Sequence, residues 1–296
     1  MAASRVRAIQ AAILRWYRRN GRDLPWRRTR DPYAILVAEI MLQQTQVDRV
    51  IPKYVLFLAR FPTAGALARA RLRDVLRVWS GLGYNARARR LWECARAVVN
   101  EHRGRVPGDV AALQRLPGIG RYTAAAIACF AFDAPEAIVE TNSRRVLTRA
   151  LDGTESVGER RVWELARRSL PAPNAHDWNQ ALMDVGALVC RPLPRCAACP
   201  IARHCRGRHV LERKPPSKPR PPRAPSPPYA GSRRFFRGRI VSALARVRSL
   251  SLEALGRQVK PGFDKTELPW LKHLLVALRR DGLVALDLKR KRAALP

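Results

Sequence analysis

The sequence predicts an all-α protein built in two parts, and three observations carry that prediction. Apolar residues recur at helical spacing from residue 5 to residue 188, with few alternating stretches among them. A proline-rich run, Lys214 to Pro228, then ends all periodicity, because proline lacks an amide donor and fixes φ. Beyond it, further helical stretches close on a short alternating segment.

Taken in order, the helical windows of the first part are 5–19, 34–44, 63–69, 72–79, 86–102, 121–131, 142–151, 158–169 and 177–188, parted by Gly, Pro or Asp. They define a body over 1–206, followed by an extended basic linker over 207–232 and a module over 233–296. Within the module, FFRGRIVSALARV, SLEALGRQV and TELPWLKHLLVALRRDG read as three helices and GLVALDLKRKRAAL as a β-hairpin. Three helices and a hairpin suggest a winged helix, a unit that contacts DNA or docks proteins. There is no internal repeat. No hydrophobic signal segment opens the chain, and no apolar run reaches the ~20 residues a membrane span needs. A reducing cytoplasm is the expected setting and a monomer the expected state.

Composition points to the partner. Of 296 residues, 57 are Lys or Arg against 23 Asp or Glu, a formal charge of +34, while 47% are hydrophobic. A chain that apolar can build a core, so the charge belongs to a folded surface rather than to disorder. Such a surface attracts a polyanion, and nucleic acid is the default.

Four cysteines fall within one short run, Cys190, Cys196, Cys199 and Cys205 in CRPLPRCAACPIARHC. Thiols so close together converge most economically on one metal centre, either tetrahedral zinc or a [4Fe–4S] cluster. Zinc knuckles usually use two CxxC pairs, whereas only Cys196 and Cys199 form one here, which favours the cluster. Cys94 and Cys129 sit among apolar residues and read as core packing. A second motif, LPGIGRYTA from Leu116 to Ala124, is a tight turn opening onto a helix. Its glycines, Gly118 and Gly120, let the backbone approach a phosphate that the first helical N–H groups can hold.

These motifs occur together with Trp26 in LPWRRTRDPY, the run Ala38 to Val47 (AEIMLQQTQV), Gly81 to Tyr84 (GLGY) and Asn142 in ETNSRRVL. In that order they resemble the MutY-type adenine DNA glycosylases of the endonuclease III helix-hairpin-helix superfamily, from about residue 8 to residue 206. The resemblance implies a two-lobed helical glycosylase with a cysteine-ligated iron–sulfur loop. It implies that Glu39 is the acid that protonates adenine, and that the carboxylate at Glu140, with Asn142 beside it, stabilises the cationic sugar. This division of labour is that of glycoside hydrolysis. The apolar neighbours of Glu39 are expected to raise its pKa. Tyr122 stands where bifunctional relatives carry a Schiff-base lysine, so base removal without strand cleavage is expected. Gln44, Leu82 and Tyr84 match residues that wedge into the duplex while a base is rotated out. Leu116, Gly118 and Gly120 of the hairpin, with Arg191 and Arg195 of the cysteine loop, match DNA contacts.

The chain departs from that pattern at several places. Glu140 replaces an aspartate, moving the carboxylate by about 1–1.5 Å in chemistry where about 1 Å matters. Thr141 replaces a glycine, Asn85 replaces a tyrosine, and the interval between Cys190 and Cys196 is one residue shorter than usual. A C-terminal Nudix-like domain, which in many members recognises 8-oxoguanine, is not expected from a tail this short and helical. The implied substrate is double-stranded DNA with adenine opposite 8-oxoguanine or guanine, handled near the nucleoid. Excision of thymine or uracil opposite guanine, or lesion binding without catalysis, are the alternatives. Whichever holds, affinity for duplex DNA should fall steeply between low and physiological salt, because each neutralised phosphate releases counterions; a salt titration followed by fluorescence anisotropy measures the slope.

Overall fold

The computed structural model describes residues 3–209 and 229–296, so residues 210–228 of the predicted linker lie outside it. The α-helices bounded within the described residues are α1 Ala3–Asn20, α2 Pro32–Leu42, α3 Val47–Arg60, α4 Ala64–Arg69, α5 Leu72–Trp79, α6 Ala86–His102, α7 Val110–Arg115, α8 Arg121–Phe132, α9 Thr141–Leu147, α10 Glu159–Arg168, α11 Ala175–Leu188, α12 Arg233–Ala245, α13 Leu252–Val259 and α14 Leu268–Arg280. None is long and apolar enough to cross a membrane. Contacts divide the chain into two units. The first takes described residues 3–35, 108–114 and 119–209, the second 36–107, 115–118 and 229–296.

The first unit is organised on α11, whose Trp178, Ala181, Leu182 and Val185 are buried against Ile9 and Ile13 of α1, Val146 and Leu147 of α9 and Val162 of α10. Helices α9 and α11 meet backbone to backbone. A Cβ on Gly186 would stand 2.7 Å from the Cβ and carbonyl oxygen of Asn142, so only glycine permits the approach. The predicted window 142–151 is α-helical only to Leu147 and widens into a π turn over Thr148–Asp152. That turn carries Arg149 inward, to 4% exposure.

One charge lies at the centre of this unit. Asp184 of α11 is fully buried, and its oxygens accept from Arg27 at 2.8 and 2.9 Å, from the Arg22 side chain at 2.7 Å and from the Arg22 backbone amide at 2.8 Å. The segment after α1 is thereby bound to α11.

The second unit packs α3, α5 and α6 around Phe57, Trp79, Leu91 and Val98, with the Phe57 and Trp79 rings edge to face at 6.0 Å. Helix α3 is not among the sequence windows, because Pro52 lies inside it. A proline there removes the donor for the Asp48 carbonyl, and burial of Val50, Tyr54 and Phe57 overrides that loss. The short α7 was likewise not anticipated. Helix α12 packs on α5, where Arg77 donates to the Ala245 carbonyl at 2.9 Å and the Ser80 and Ser242 hydroxyls meet at 2.9 Å. Helices α12 to α14 and the hairpin of β2 (Ala285–Asp287) with β3 (Arg292–Ala294) match the expected terminal pattern. A strand absent from that expectation, β1 (Leu250–Ser251), pairs antiparallel with β3 and gives the order β1-β3-β2. Two residues are too few to show alternation.

Although burial alone would raise the Asp184 pKa, Arg27 and Arg22 hold its carboxyl below the usual carboxylate range. A carboxylate depressed in this way stabilises the fold above its unfolded pKa of about 3.9 and loses that stabilisation as pH falls through the folded value. Asp184→Asn leaves two guanidinium groups without their counter-charge and should cost about 3–5 kcal/mol near pH 7, with the difference from wild type shrinking below about pH 4; urea unfolding across pH 3–7 tests both.

Candidate functional site

In the first unit, Glu140 is the N-cap of α9. Its Oε1 accepts from the Asn142 and Ser143 amides, each at 2.7 Å, and the Ser143 hydroxyl accepts from the Glu140 amide at 2.9 Å, a reciprocal capping box. The extra methylene of glutamate is taken up in this curl. Oε2 accepts from the Asn142 side chain at 3.2 Å. Asn142 is held in turn by Arg145, which donates to its Oδ1 at 2.7 Å and to the carbonyls of Gly186 at 2.7 Å and Cys190 at 2.5 Å. A carboxylate thus sits at a helix N-terminus in an orientation fixed by three donors, the Asn142 and Ser143 amides and the Asn142 side chain. Burial pushes its pKa up, against the pull of the Asn142 and Ser143 amides and of Arg145.

The hairpin turn precedes this segment. Leu116 and Ile119 are buried while Gly118 and Gly120 are exposed, the surface pattern of a backbone available to a ligand. Gly118 has φ +81°, and a Cβ there would stand 2.9 Å from the Arg90 Cβ, so both conformation and space demand glycine. Gly120 caps α8 at its N-terminus, and Tyr122 is half-buried in the first turn.

The four cysteines of the run line one cavity, together with Arg149, Arg195 and Ile201. Arg149 donates to the Cys190 sulfur at 3.6 Å and to the Arg191 and Pro192 carbonyls at 2.6 and 3.1 Å. Burial pushes the Cys199 thiol up to about 11, and Cys190, Cys205 and Cys196 push it the same way. Among the described residues no three His, Cys, Asp or Glu side chains are arranged to hold a single metal ion. Arg191 and Arg195 are exposed on the same loop.

In the second unit Glu39, on α2, is 5% exposed among buried Val37, Ala38, Ile40 and Met41. Gln44 follows that helix, and Leu82 and Tyr84 follow α5. All three line one cleft, with Leu82 buried and Gln44 and Tyr84 exposed. Gln44 and Tyr84 both adopt left-handed backbone, φ 56° and 49°, a conformation that costs a non-glycine residue about 1–2 kcal/mol. Arg87 holds them there. It is 7% exposed, donates to the carbonyls of Ile40, Met41, Gln43 and Gly83 and to the Thr45 hydroxyl, and lies over the Trp79 and Tyr84 rings, 5.4 Å from each.

Sequence reasoning missed Arg87, Arg145 and Arg149. In a chain with 57 Lys and Arg nothing marks Arg87 and Arg149 as buried or Arg145 as half-buried beside Asn142, although Arg87 does stand at helical spacing from the apolar Leu91.

Residues 37–171 match the HhH-GPD superfamily of base excision DNA repair proteins. The chain is similar to the adenine DNA glycosylase of Rattus norvegicus, 45% identical over 215 residues covering 68% of this chain and 42% of the rat protein. It is 42% identical over 238 residues to the adenine DNA glycosylase of Mycobacterium tuberculosis, covering 78% of this chain and 77% of that one. The chain therefore spans about two fifths of the mammalian relative and about three quarters of the mycobacterial one. Among solved structures, a thermostable thymine-DNA glycosylase superposes with a TM-score of 0.67 at 34% identity, covering 70% of this chain and 98% of that chain. An endonuclease III in complex with DNA has the same fold, with a TM-score of 0.63 at 21% identity, covering 72% of this chain and all of that one.

Burial lowers the Arg87 pKa to about 10, with a small opposing contribution from Tyr84, so the group stays charged at neutral pH. Arg87→Met strips the donor from several buried carbonyls, each worth about 1–3 kcal/mol when orphaned. Urea unfolding should register a loss of at least about 3 kcal/mol, with Arg87→Lys falling between the variant and wild type.

Proposed function

The chain belongs to the HhH-GPD superfamily of base excision DNA repair proteins, and within it to the MutY-type adenine DNA glycosylases; from that membership we propose that it removes adenine mispaired with 8-oxoguanine or guanine from double-stranded DNA. The observation that carries this reading is the Glu140 carboxylate, clamped at the N-terminus of α9 by two backbone amides and Asn142. Hydrolysis of the N-glycosidic bond leaves positive charge on the sugar, and a preorganised carboxylate stabilises that charge without reorganising during the reaction. Glu39 is the proton donor: it protonates a ring nitrogen of adenine so that the base leaves neutral, then takes a proton from the attacking water. Tyr122 has no amine to condense with the sugar, so the product is an abasic site in an intact strand. Gln44, Leu82 and Tyr84 fill the space that the rotated base vacates. The hairpin glycines and the exposed Arg191 and Arg195 hold phosphates.

Cys190, Cys196, Cys199 and Cys205 fit a [4Fe–4S] cluster: four soft donors face one cavity, and an arginine is hydrogen-bonded to one of the sulfurs. When bound, the cluster braces the loop that bears Arg191 and Arg195 and supplies no step of the hydrolysis. Helices α12 to α14 with the three-stranded sheet form a winged-helix module. A second reading, excision of thymine opposite guanine, is favoured by the 34% identity to a thymine-DNA glycosylase.

A single-turnover assay on duplexes carrying adenine opposite 8-oxoguanine or thymine opposite guanine separates the two. Adenine release should give alkali-dependent nicks and no borohydride-trapped adduct. Glu39→Gln should slow release by about 10²–10⁴-fold, while Glu140→Asp retains it. Release of thymine alone overturns the first reading, and release of neither base overturns both.

A further inference from the structure

The solvent face of α14 carries charge of one sign. Lys272, His273, Val276, Arg279 and Arg280 are all exposed and, at about 3.6 residues per turn, fall on one stripe, while Leu271, Leu274, Leu275 and Leu278 turn inward. The carboxylates at the two ends of the helix are already taken, Glu267 by Lys260 and Asp281 by Arg237, and among the described residues no ion pair reaches Lys272, Arg279 or Arg280. The β2–β3 turn repeats the bias: Lys289, Arg290 and Lys291 are exposed there, and the neighbouring Asp287 accepts from the Arg290 amide at 2.9 Å to shape the turn. We propose that the terminal module grips a stretch of double-stranded DNA of its own, with the exposed face of α14 in the major groove and the β2–β3 turn on the phosphates beside it. The proposal rests on the DNA-repair reading above and adds a surface to it: none of these residues lines the cleft of Gln44, Leu82 and Tyr84.

Three features select this partner. The first is uncompensated charge. Helix α10 shows the ordinary solvent face, where Arg161 and Arg168 are both ion-paired with Glu164. On α14 like charges repel one another along the stripe, and a row of phosphates relieves that repulsion. The second is dimension. The 13 residues of α14 span about 20 Å, and a single helix fits a major groove about 12 Å wide. The third is Val276, 54% exposed in the middle of the stripe. Water offers an exposed valine no contact worth having, whereas the groove offers it thymine methyl groups.

The helix is presented rigidly. Helices α13 and α14 stand as the pair of a helix-turn-helix, joined over residues 260–267. The Phe263 ring of that joint fills the space a side chain at Gly256 would take, and Lys260 is ion-paired with Glu267 across it. At the far end Arg89 of α6 donates to the Asp281 carbonyl at 2.7 Å, so the module is fixed to the helix that follows Tyr84. Arg292 donates to the Ser249 hydroxyl at 2.8 Å and ties the hairpin to the residues before β1.

The test uses the full chain and an undamaged duplex, with binding followed by fluorescence anisotropy across a salt series. Lys272→Ala with Arg279→Ala and Arg280→Ala should make the slope of log affinity against log salt shallower by about 2.7, about 0.9 for each lost phosphate contact, and weaken binding at about 0.1 M salt at least ~10-fold. Alanine at exposed helical positions leaves the helix intact. Removing three charges from α1 instead, by Arg5→Ala, Arg7→Ala and Arg15→Ala, should change the slope by less than about 1. Methylation of guanine N7, an atom of the major groove, by dimethyl sulfate should be slowed by wild type and, at equal occupancy, not by the α14 variant. An unchanged slope, equal losses in the two triple variants, or equal N7 protection overturns the proposal. None of these measurements needs excision. Adenine release run in parallel under single-turnover conditions tests the activity by itself: release with an unchanged slope sinks only the α14 surface, and a shallower slope without release sinks only the activity.

Discussion

The last carbonyls of an α-helix have no donor within the helix, and a buried helix end must find one elsewhere. In this protein distant arginines supply it, at exposed helix ends as well as at buried ones. Arg87 reaches the end of α2, Arg30 the end of α8 at Phe130, Arg145 the end of α11 at Gly186, Arg77 the end of α12, Arg239 the end of α13 at Gln258 and Arg89 the end of α14 at Asp281. A guanidinium suits the task because its fork of donors reaches several carbonyls at once and its charge complements the negative end of the helix dipole.

Loops that follow three of these helices carry functional candidates. Gln44 comes after α2, the cysteine run after α11, and Glu140 after the segment that leaves α8. Two of these loops are held by arginines outside the loop itself. They depend on Arg87 and on Arg145 with Arg149, so one type of contact serves both the Gln44 loop and the cysteine loop. At the opposite polarity, the Glu140 carboxylate occupies a helix N-terminus, where exposed amides favour negative charge. Arg145 links these two halves within one unit: it holds Asn142 beside Glu140 with the same guanidinium that holds the Cys190 carbonyl.

The surplus of basic residues accordingly has two uses. Part of the +34 formal charge is internal, consumed by carbonyls and by Asp184. Part faces outward around the hairpin turn, on the cysteine loop and in the cleft shared with α12. Only the outward part is open to a polyanion, so net charge overstates the electrostatic footprint.

Sequence alone was enough for the helical class, the cysteine run, the glycine turn and the identity of Glu39, Glu140, Asn142 and Tyr122 as candidates. Each of these is a local pattern or a residue type in a fixed order. Helix α3 was illegible, because Pro52 argues locally against it and only burial of its apolar face decides otherwise. Strand β1 was illegible because it exists only through its pairing with β3. The cap made by Glu140 could not be foreseen from a residue longer than the aspartate it replaces, since the outcome depends on whether the side chain curls onto its own helix. Above all, tertiary structure decided which arginines meet a helix end. An arginine in sequence is the same residue whether it meets a phosphate or a helix end, and only the fold brings to it the carbonyls of Ile40, Gly186 or Ala245 that lie far away in the chain.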